Sequence, residues 1–125
     1  MKLLLDTHIF LWMLRDAREL SAQARRLIVA ADELHVSSVS LWEAAIKAAA
    51  GKLTIDMPRM EAQLLATGCR PLPMTWAHAL AYRDLPPLHR DPFDRMLVAQ
   101  AMSEPLHLLT HDAALAAYSH LVTVA

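Results

Sequence analysis

The sequence predicts an α/β domain built on a parallel sheet, and three observations carry that expectation. Short apolar runs alternate with longer segments whose apolar residues recur at helical spacing. The first run, Lys2–Leu5, has three consecutive leucines rather than an alternating pattern, as suits a strand covered on both faces. A later run, Cys69–Met74, contains Pro71 and Pro73. Neither proline can donate to a ladder, so this strand belongs at a sheet edge.

In chain order, Lys2–Leu5 is the first strand, and Asp6-Thr7 ends it and can cap a helix from His8 to Leu14. Ser21 caps a second helix from Ala22 to Ala31, with Ala24, Leu27, Ile28 and Ala31 on one face. Glu33–Ser37 is the second strand. Ser40-Leu41-Trp42-Glu43 has capping-box spacing and opens a third helix that runs to Ala50, with Gly51 just past its end. Pro58 begins a fourth helix, which Gly68 ends. After the proline-bearing third strand, Thr75 caps a short helix through Tyr82. Pro86-Pro87 interrupts the chain. Asp91-Pro92 then reads as an N-cap followed by proline at the first helical position, where the missing N–H costs nothing. That helix presents Phe93, Met96, Leu97 and Ala101 on one face. Leu106–Thr110 is the fourth strand, Asp112–Tyr118 a short helix and Leu121–Val124 the fifth strand.

The chain has 125 residues, suiting one domain over residues 1–125. At 55% hydrophobic and 20% charged it can bury a core without disulfides. Its one cysteine, Cys69, excludes an intrachain bridge and points to a reducing compartment, the cytoplasm. The opening MKLLLDTHIFLWML is broken by Asp6 and His8, so it is too short and too polar for a membrane span. It also lacks the small-residue cleavage site of a signal peptide. A net charge of −1 means that any nucleic-acid role must rest on local patches or on bound metal. Seven methionines and a mean hydropathy of +0.25 leave apolar surface for a partner.

Three acids follow strands, directly or at the start of the next element: Asp6, Glu43 and Asp112. Asp94 opens the helix before the fourth strand. Each has an ordinary explanation. Asp6 and Asp112 can be caps, Glu43 the return arm of a capping box, and Asp94 a carboxylate favoured by the helix dipole. Taken together they mean more. In open α/β sheets ligands sit beyond the carboxyl ends of strands, where the strand order reverses. If the first strand is central, all four carboxylates face one cleft. Such a cluster repels itself unless a cation is present, and Mg²⁺ or Mn²⁺ takes oxygen ligands of this kind. One or two such ions would orient a water and screen phosphate charge for in-line hydrolysis.

Four segments, LLLDTHIFLW, SSVSLWEAAIK, HRDPFDRMLVAQA and LLTHD, resemble in order and content the PIN-domain family, in particular the VapC-type toxins of bacterial toxin–antitoxin pairs. They span almost the whole chain. The resemblance implies a PIN-like three-layer α/β/α sandwich with a central parallel sheet of about five strands and the proline-bearing third strand at an edge. It implies a metal-dependent ribonuclease whose acidic quartet is Asp6, Glu43, Asp94 and Asp112. Asp91 competes for the third place, but Asp94 directly precedes the RMLVAQA run as the family acid does. Thr7 and Thr110 flank the acids and can orient them. His8 stands where many relatives carry a small polar residue. The resemblance further implies a homodimer held by helical faces, an RNA substrate and a cognate antitoxin that occupies the cleft or its margin.

Other residues invite roles. Arg95 can contact a phosphate or lie solvated on its helix, and His89 and His111 can donate protons near the cleft or simply cap and solvate. Arg15, Arg18, Arg25 and Arg26 read better as a solvated face than as an RNA guide. Trp12, Trp42 and Trp76 read as core or interface anchors rather than stacking platforms. The histidines lack zinc-ligand spacing. A phosphoacceptor receiver is a competing class, but Asp6 stands alone, CRPLPM has no acid and no lysine follows Lys52. An aspartyl-phosphate phosphatase lacks its second aspartate near Asp6. A catalytically silent binding module is the remaining alternative.

Overall fold

The computed structural model describes residues 1–125 and orders them as β1(Lys2–Leu5), α1(Thr7–Leu14), α2(Ala22–Ala30), β2(Glu33–Ser37), α3(Ser38–Ala49), α4(Met57–Ala66), β3(Arg70–Leu72), α5(Trp76–Arg83), α6(Pro92–Ser103), β4(His107–Thr110) and β5(Val122–Val124). A 3-10 helix, Ala113–Ala117, precedes β5. The five strands form one parallel sheet in the order β3-β2-β1-β4-β5. The chain therefore builds outward from β1 on one side and returns to build the other side from β4. The reversal lies between β1 and β4.

The leucines of β1 explain the layers. Leu3 and Leu5 join Ile9, Phe10, Leu20, Ala24, Met60 and Leu64 in one core. Leu4 turns to the opposite face, where it meets Leu97, Val98, Ala101 and Leu115. A strand with helices on both faces needs apolar side chains at every position, which is what the unbroken run supplies. Burying one leucine side chain contributes about 2 kcal/mol, so a polar residue at any of the three would be strongly disruptive.

Pro71 sits on the edge strand, paired with Val36. β3 is shorter than the predicted Cys69–Met74. After Leu72 the chain leaves the sheet, and the Met74 N–H donates to Ser38 Oγ at 3.0 Å instead of to a neighbouring strand. Gly51 and Gly68 take the left-handed conformations (φ +74° and +82°) expected just beyond helices. The fourth helix begins at Met57 with Asp56 as cap, which puts Pro58 at its second position. No helix is long and apolar enough to cross a membrane.

The third helix starts earlier than its capping-box spacing suggests. Ser37 ends β2 and also caps α3, its Oγ accepting from the Val39 N–H at 3.0 Å. Strand passes into helix with no loop. Ser40 is therefore inside the helix and buried, and its hydroxyl accepts from Thr7 Oγ1 at 2.9 Å. Glu43 is consequently not the return arm of a cap.

Candidate active site

Asp6 continues β1 by one residue, its N–H donating to the Leu109 carbonyl at 2.9 Å. Its side chain caps α1, with Oδ1 accepting from the His8 N–H at 2.9 Å. Oδ2 accepts from Thr110 Oγ1, also at 2.9 Å. Capping and membership of the cleft are thus one geometry, not rival explanations. Burial pushes the Asp6 carboxyl up, but the His8 ring and backbone and the Thr110 hydroxyl together outweigh it and hold Asp6 below the usual carboxylate range. The same contact works on His8, whose Nδ1 lies 3.8 Å from Asp6 Oδ1. Asp6 raises the His8 imidazole against the opposing effect of burial.

Thr110 also serves Asp112. Its hydroxyl accepts from the Asp112 N–H at 3.1 Å while donating to Asp6. A single buried hydroxyl at the end of β4 therefore fixes two acids that lie far apart in the chain. Asp112 caps the 3-10 helix through Oδ1, which accepts from the Ala114 N–H at 3.0 Å. Its Oδ2 faces His89 Nε2 at 3.0 Å.

Asp94 enters from α6. Asp91 caps that helix, accepting from the Phe93 and Asp94 N–H groups at 2.8 and 3.2 Å. Asp91 is thus the cap that its place before Pro92 predicts. Asp94 is pushed up to about 7, first by burial and then by the carboxylates of Asp6, Asp91 and Glu43, with His89 opposing. The helix dipole, worth about 0.3–1 kcal/mol at this position, does not offset so much negative charge.

Glu43 lies on the inner face of α3, 4% exposed. Oε2 accepts from Lys47 Nζ at 2.9 Å, one turn along. Oε1 is buried and has no partner. A carboxylate oxygen taken out of water and left unsatisfied costs about 1–3 kcal/mol or more, and a cation or a donor placed there would relieve that cost.

His89 joins this group through its own supports. Its Nδ1 accepts from the Asp91 N–H at 3.1 Å, so the ring carries its proton on Nε2, toward Asp112 and 4.0 Å from Asp94 Oδ2. The Tyr118 hydroxyl pins the loop by accepting from the Leu88 and His89 N–H groups at 3.1 and 2.9 Å. Potential ligand atoms of His89, Asp94 and Asp112 lie within 4.8 Å of one another, as do those of Asp6, His8 and His111. Both clusters mix carboxylate oxygens with imidazole nitrogens, and Glu43 brings its unsatisfied oxygen from outside them; the carboxylates are the donors a hard divalent cation takes. The residues present are chemically suited to Mg²⁺ or Mn²⁺.

Two auxiliary expectations change. Arg95 makes no ion pair. Its guanidinium lies 4.5 Å from the Tyr82 ring centroid and donates to the Tyr82 hydroxyl at 3.1 Å and the Leu85 carbonyl at 3.4 Å. It locks α5 against α6 rather than reaching for phosphate. Thr7 acts at one remove, tying α1 to α3 through Ser40 instead of touching a carboxylate.

Residues 3–121 match the model of the PIN domain family. This chain belongs to that family. Over 119 residues it is 32% identical to Ribonuclease VapC22 of Mycobacterium tuberculosis (strain ATCC 25618 / H37Rv), covering 94% of this chain and 92% of the relative. Its fold matches the structure of VapBC2 from Rickettsia felis bound to a DNA fragment from the promoter, with a TM-score of 0.71, 13% identity and coverage of 100% of this chain and 98% of that one. It also matches FitAB bound to an IR36 DNA fragment, with a TM-score of 0.64, 16% identity and 90% coverage of each chain. At those identities the two structures speak for the fold alone, a three-layer α/β/α sandwich.

In this PIN domain, two contributors escaped the sequence reading. Ser40 was hidden by its apparent place in a capping box. Tyr118 carried no signal beyond ending a helical stretch, because its partners are backbone groups some thirty residues away.

Proposed function

We propose that this PIN domain is the toxin of a type II toxin–antitoxin pair, acting in the cytoplasm as a divalent-metal-dependent endoribonuclease. The observation that carries the reading is the state of Asp94. It is partly buried and lies in the field of the Asp6 and Glu43 carboxylates, one of which, Glu43, has a partnerless oxygen. Asp6, Glu43, Asp94 and Asp112 would hold Mg²⁺ or Mn²⁺. Such an ion, when bound, supplies positive charge that screens the phosphodiester and makes water a better nucleophile at neutral pH.

The chain's own residues prepare that chemistry. Thr110 holds Asp6 and Asp112 in fixed orientation. Lys47 takes one oxygen of Glu43 and leaves the other free. His89 steadies Asp112 through Nε2–H and is itself held by the Asp91 backbone. The ribonuclease relative supports RNA as the substrate, and the likeness to VapBC2 and FitAB supports an antitoxin as partner.

A second copy of this chain would cover the apolar face formed by Trp42, Met74, Trp76 and Leu80, which are 59, 45, 92 and 57% exposed. Of the three tryptophans read from sequence as core or interface anchors, Trp42 and Trp76 are too exposed for the core. Trp42 packs edge-on against Phe93, with ring centroids 5.2 Å apart, next to the two acids that follow them in sequence.

The test is cleavage of RNA in Mg²⁺ and in Mn²⁺ by the parent and by Asp6→Asn. The parent cuts and loses activity on chelation, while the variant is slower by at least about a hundredfold, the scale of losing a key electrostatic group. Equal rates would overturn the assignment.

A further inference from the structure

A second feature adjoins the acidic cleft and shares His8 with it. The rings of His8, Trp12 and His111 form a compact cluster, with centroids 5.8 Å apart for His8–Trp12, 5.2 Å for His8–His111 and 4.9 Å for Trp12–His111. His8 and Trp12 are one helical turn apart on α1, and His111 comes from the loop after β4. Trp12 is half-buried and packs on the core, so it is held in place. His8 and His111 are exposed. Ring nitrogens of both lie within 4.8 Å of an Asp6 carboxylate oxygen.

From His8 and Trp12 a groove of 680 Å³ runs between α1 and α4. Its basic lining comprises Arg15, Lys47, Lys52 and Arg59, against a single acid, Asp56. Asp56 is engaged in capping α4 through the Arg59 N–H. Arg15 and Lys47 have carboxylate partners, Glu19 and Glu43. Lys52 and Arg59 have none, although the protein as a whole carries a net charge of −1.

We propose that His8, Trp12 and His111 form the platform on which a single-stranded RNA stacks the base next to the scissile phosphate, with its backbone running along the groove past Lys52 and Arg59. The proposal rests on the ribonuclease reading of the cleft and names the strand state and the path of its substrate. Aromatic faces bind bases with little regard to identity, and unpaired cations follow the phosphates. A duplex keeps its bases stacked internally and cannot offer one to the platform. The positive groove continuous with a carboxylate cleft favours nucleic acid over a peptide, although the same groove has apolar residues in its floor.

The test is fluorescence anisotropy of the full chain without divalent metal, using three fluorescein-labelled probes: a mixed-sequence single-stranded 12-mer, the matching abasic ribose–phosphate 12-mer and the 12-base-pair duplex. The parent should bind the base-bearing strand about tenfold more tightly than the abasic one, the scale of stacking one base. Trp12→Leu should abolish that preference while still binding the abasic strand. Lys52→Glu should weaken binding to both single strands and flatten the salt dependence. His111→Ala, at an exposed position, gives the same readout should Trp12→Leu fail to fold. A parent that cleaves RNA while Trp12→Leu and His111→Ala keep the full preference for bases overturns the platform alone. Loss of purified antitoxin binding in Trp12→Leu with unchanged RNA binding also overturns it and assigns the groove to protein. A parent that neither binds nor cleaves RNA overturns the ribonuclease reading and the platform with it.

Discussion

Asp94→Asn should make the metal-free protein more stable while removing its response to metal. A carboxyl that titrates near 7 instead of 3.8 keeps, in the folded chain, a proton that the unfolded chain has already released. The unfolded state binds fewer protons across that interval, so stability falls as pH rises from about 4 to about 7 and stays at its lower value above. At about 1.4 kcal/mol per tenfold the penalty would approach about 4 kcal/mol in a sealed site. The Asp94 side chain is 18% exposed and the cleft is open, so solvent screening leaves about half of this, about 2 kcal/mol.

Asparagine has nearly the same shape and cannot ionise. It gives up a favourable charge in the first turn of α6, but that is worth only about 0.5 kcal/mol. The sign therefore holds. At pH 8 in chelator, Asp94→Asn should melt about 4–8 °C above the parent. At pH 4.5 the two should nearly coincide. Millimolar Mg²⁺ or Mn²⁺ should raise the melting temperature of the parent by mass action and leave the variant almost unmoved. Thermal melts at two pH values, with and without metal, read all of this. A variant less stable than the parent at pH 8 without metal, or one as responsive to metal as the parent, would refute the picture of a carboxylate cluster awaiting a cation.

Three further outcomes follow from named contacts. Thr110→Val keeps the shape but removes the donor to Asp6 and the acceptor for the Asp112 N–H, so it should cost about 1–3 kcal/mol in denaturant unfolding and slow RNA cleavage. His89→Gln should weaken Mn²⁺ binding in calorimetry by about tenfold, because Asp112 loses the group that orients it. Trp76→Glu, at a position 92% exposed, should leave folding intact and convert a dimer to a monomer in light scattering; an unchanged mass would remove this face from the interface.

Much of the fold is written locally. The unbroken Leu3-Leu4-Leu5 run announces a strand covered twice, and Pro71 announces an edge. The caps at Ser21, Thr75 and Asp91 lie where their sequence contexts place them. Misreadings occur where a local signal has two uses. Ser40 and Glu43 have capping-box spacing, yet Ser37 caps the helix because β2 and α3 join without a loop. Arg95 follows an acid of the cleft, yet a neighbouring tyrosine ring claims its guanidinium. The spacing of Trp12, Trp42 and Trp76 marks helices but does not say which face meets water, and two of the three are among the exposed large apolar residues.

Periodicity, prolines and caps therefore determined which segments are strands and helices, because those preferences act over a few residues. The order of the strands is a different matter. Parallel neighbours are joined by crossovers, and β1 and β4 lie side by side although they stand at Lys2–Leu5 and His107–Thr110. Their adjacency lets Thr110 donate to Asp6 across 104 positions and sets Asp94 in the same field of charge. The four acids could be singled out in the sequence as candidates. Tertiary structure alone decided how near they stand, because Coulomb repulsion depends on distance in space and not along the chain.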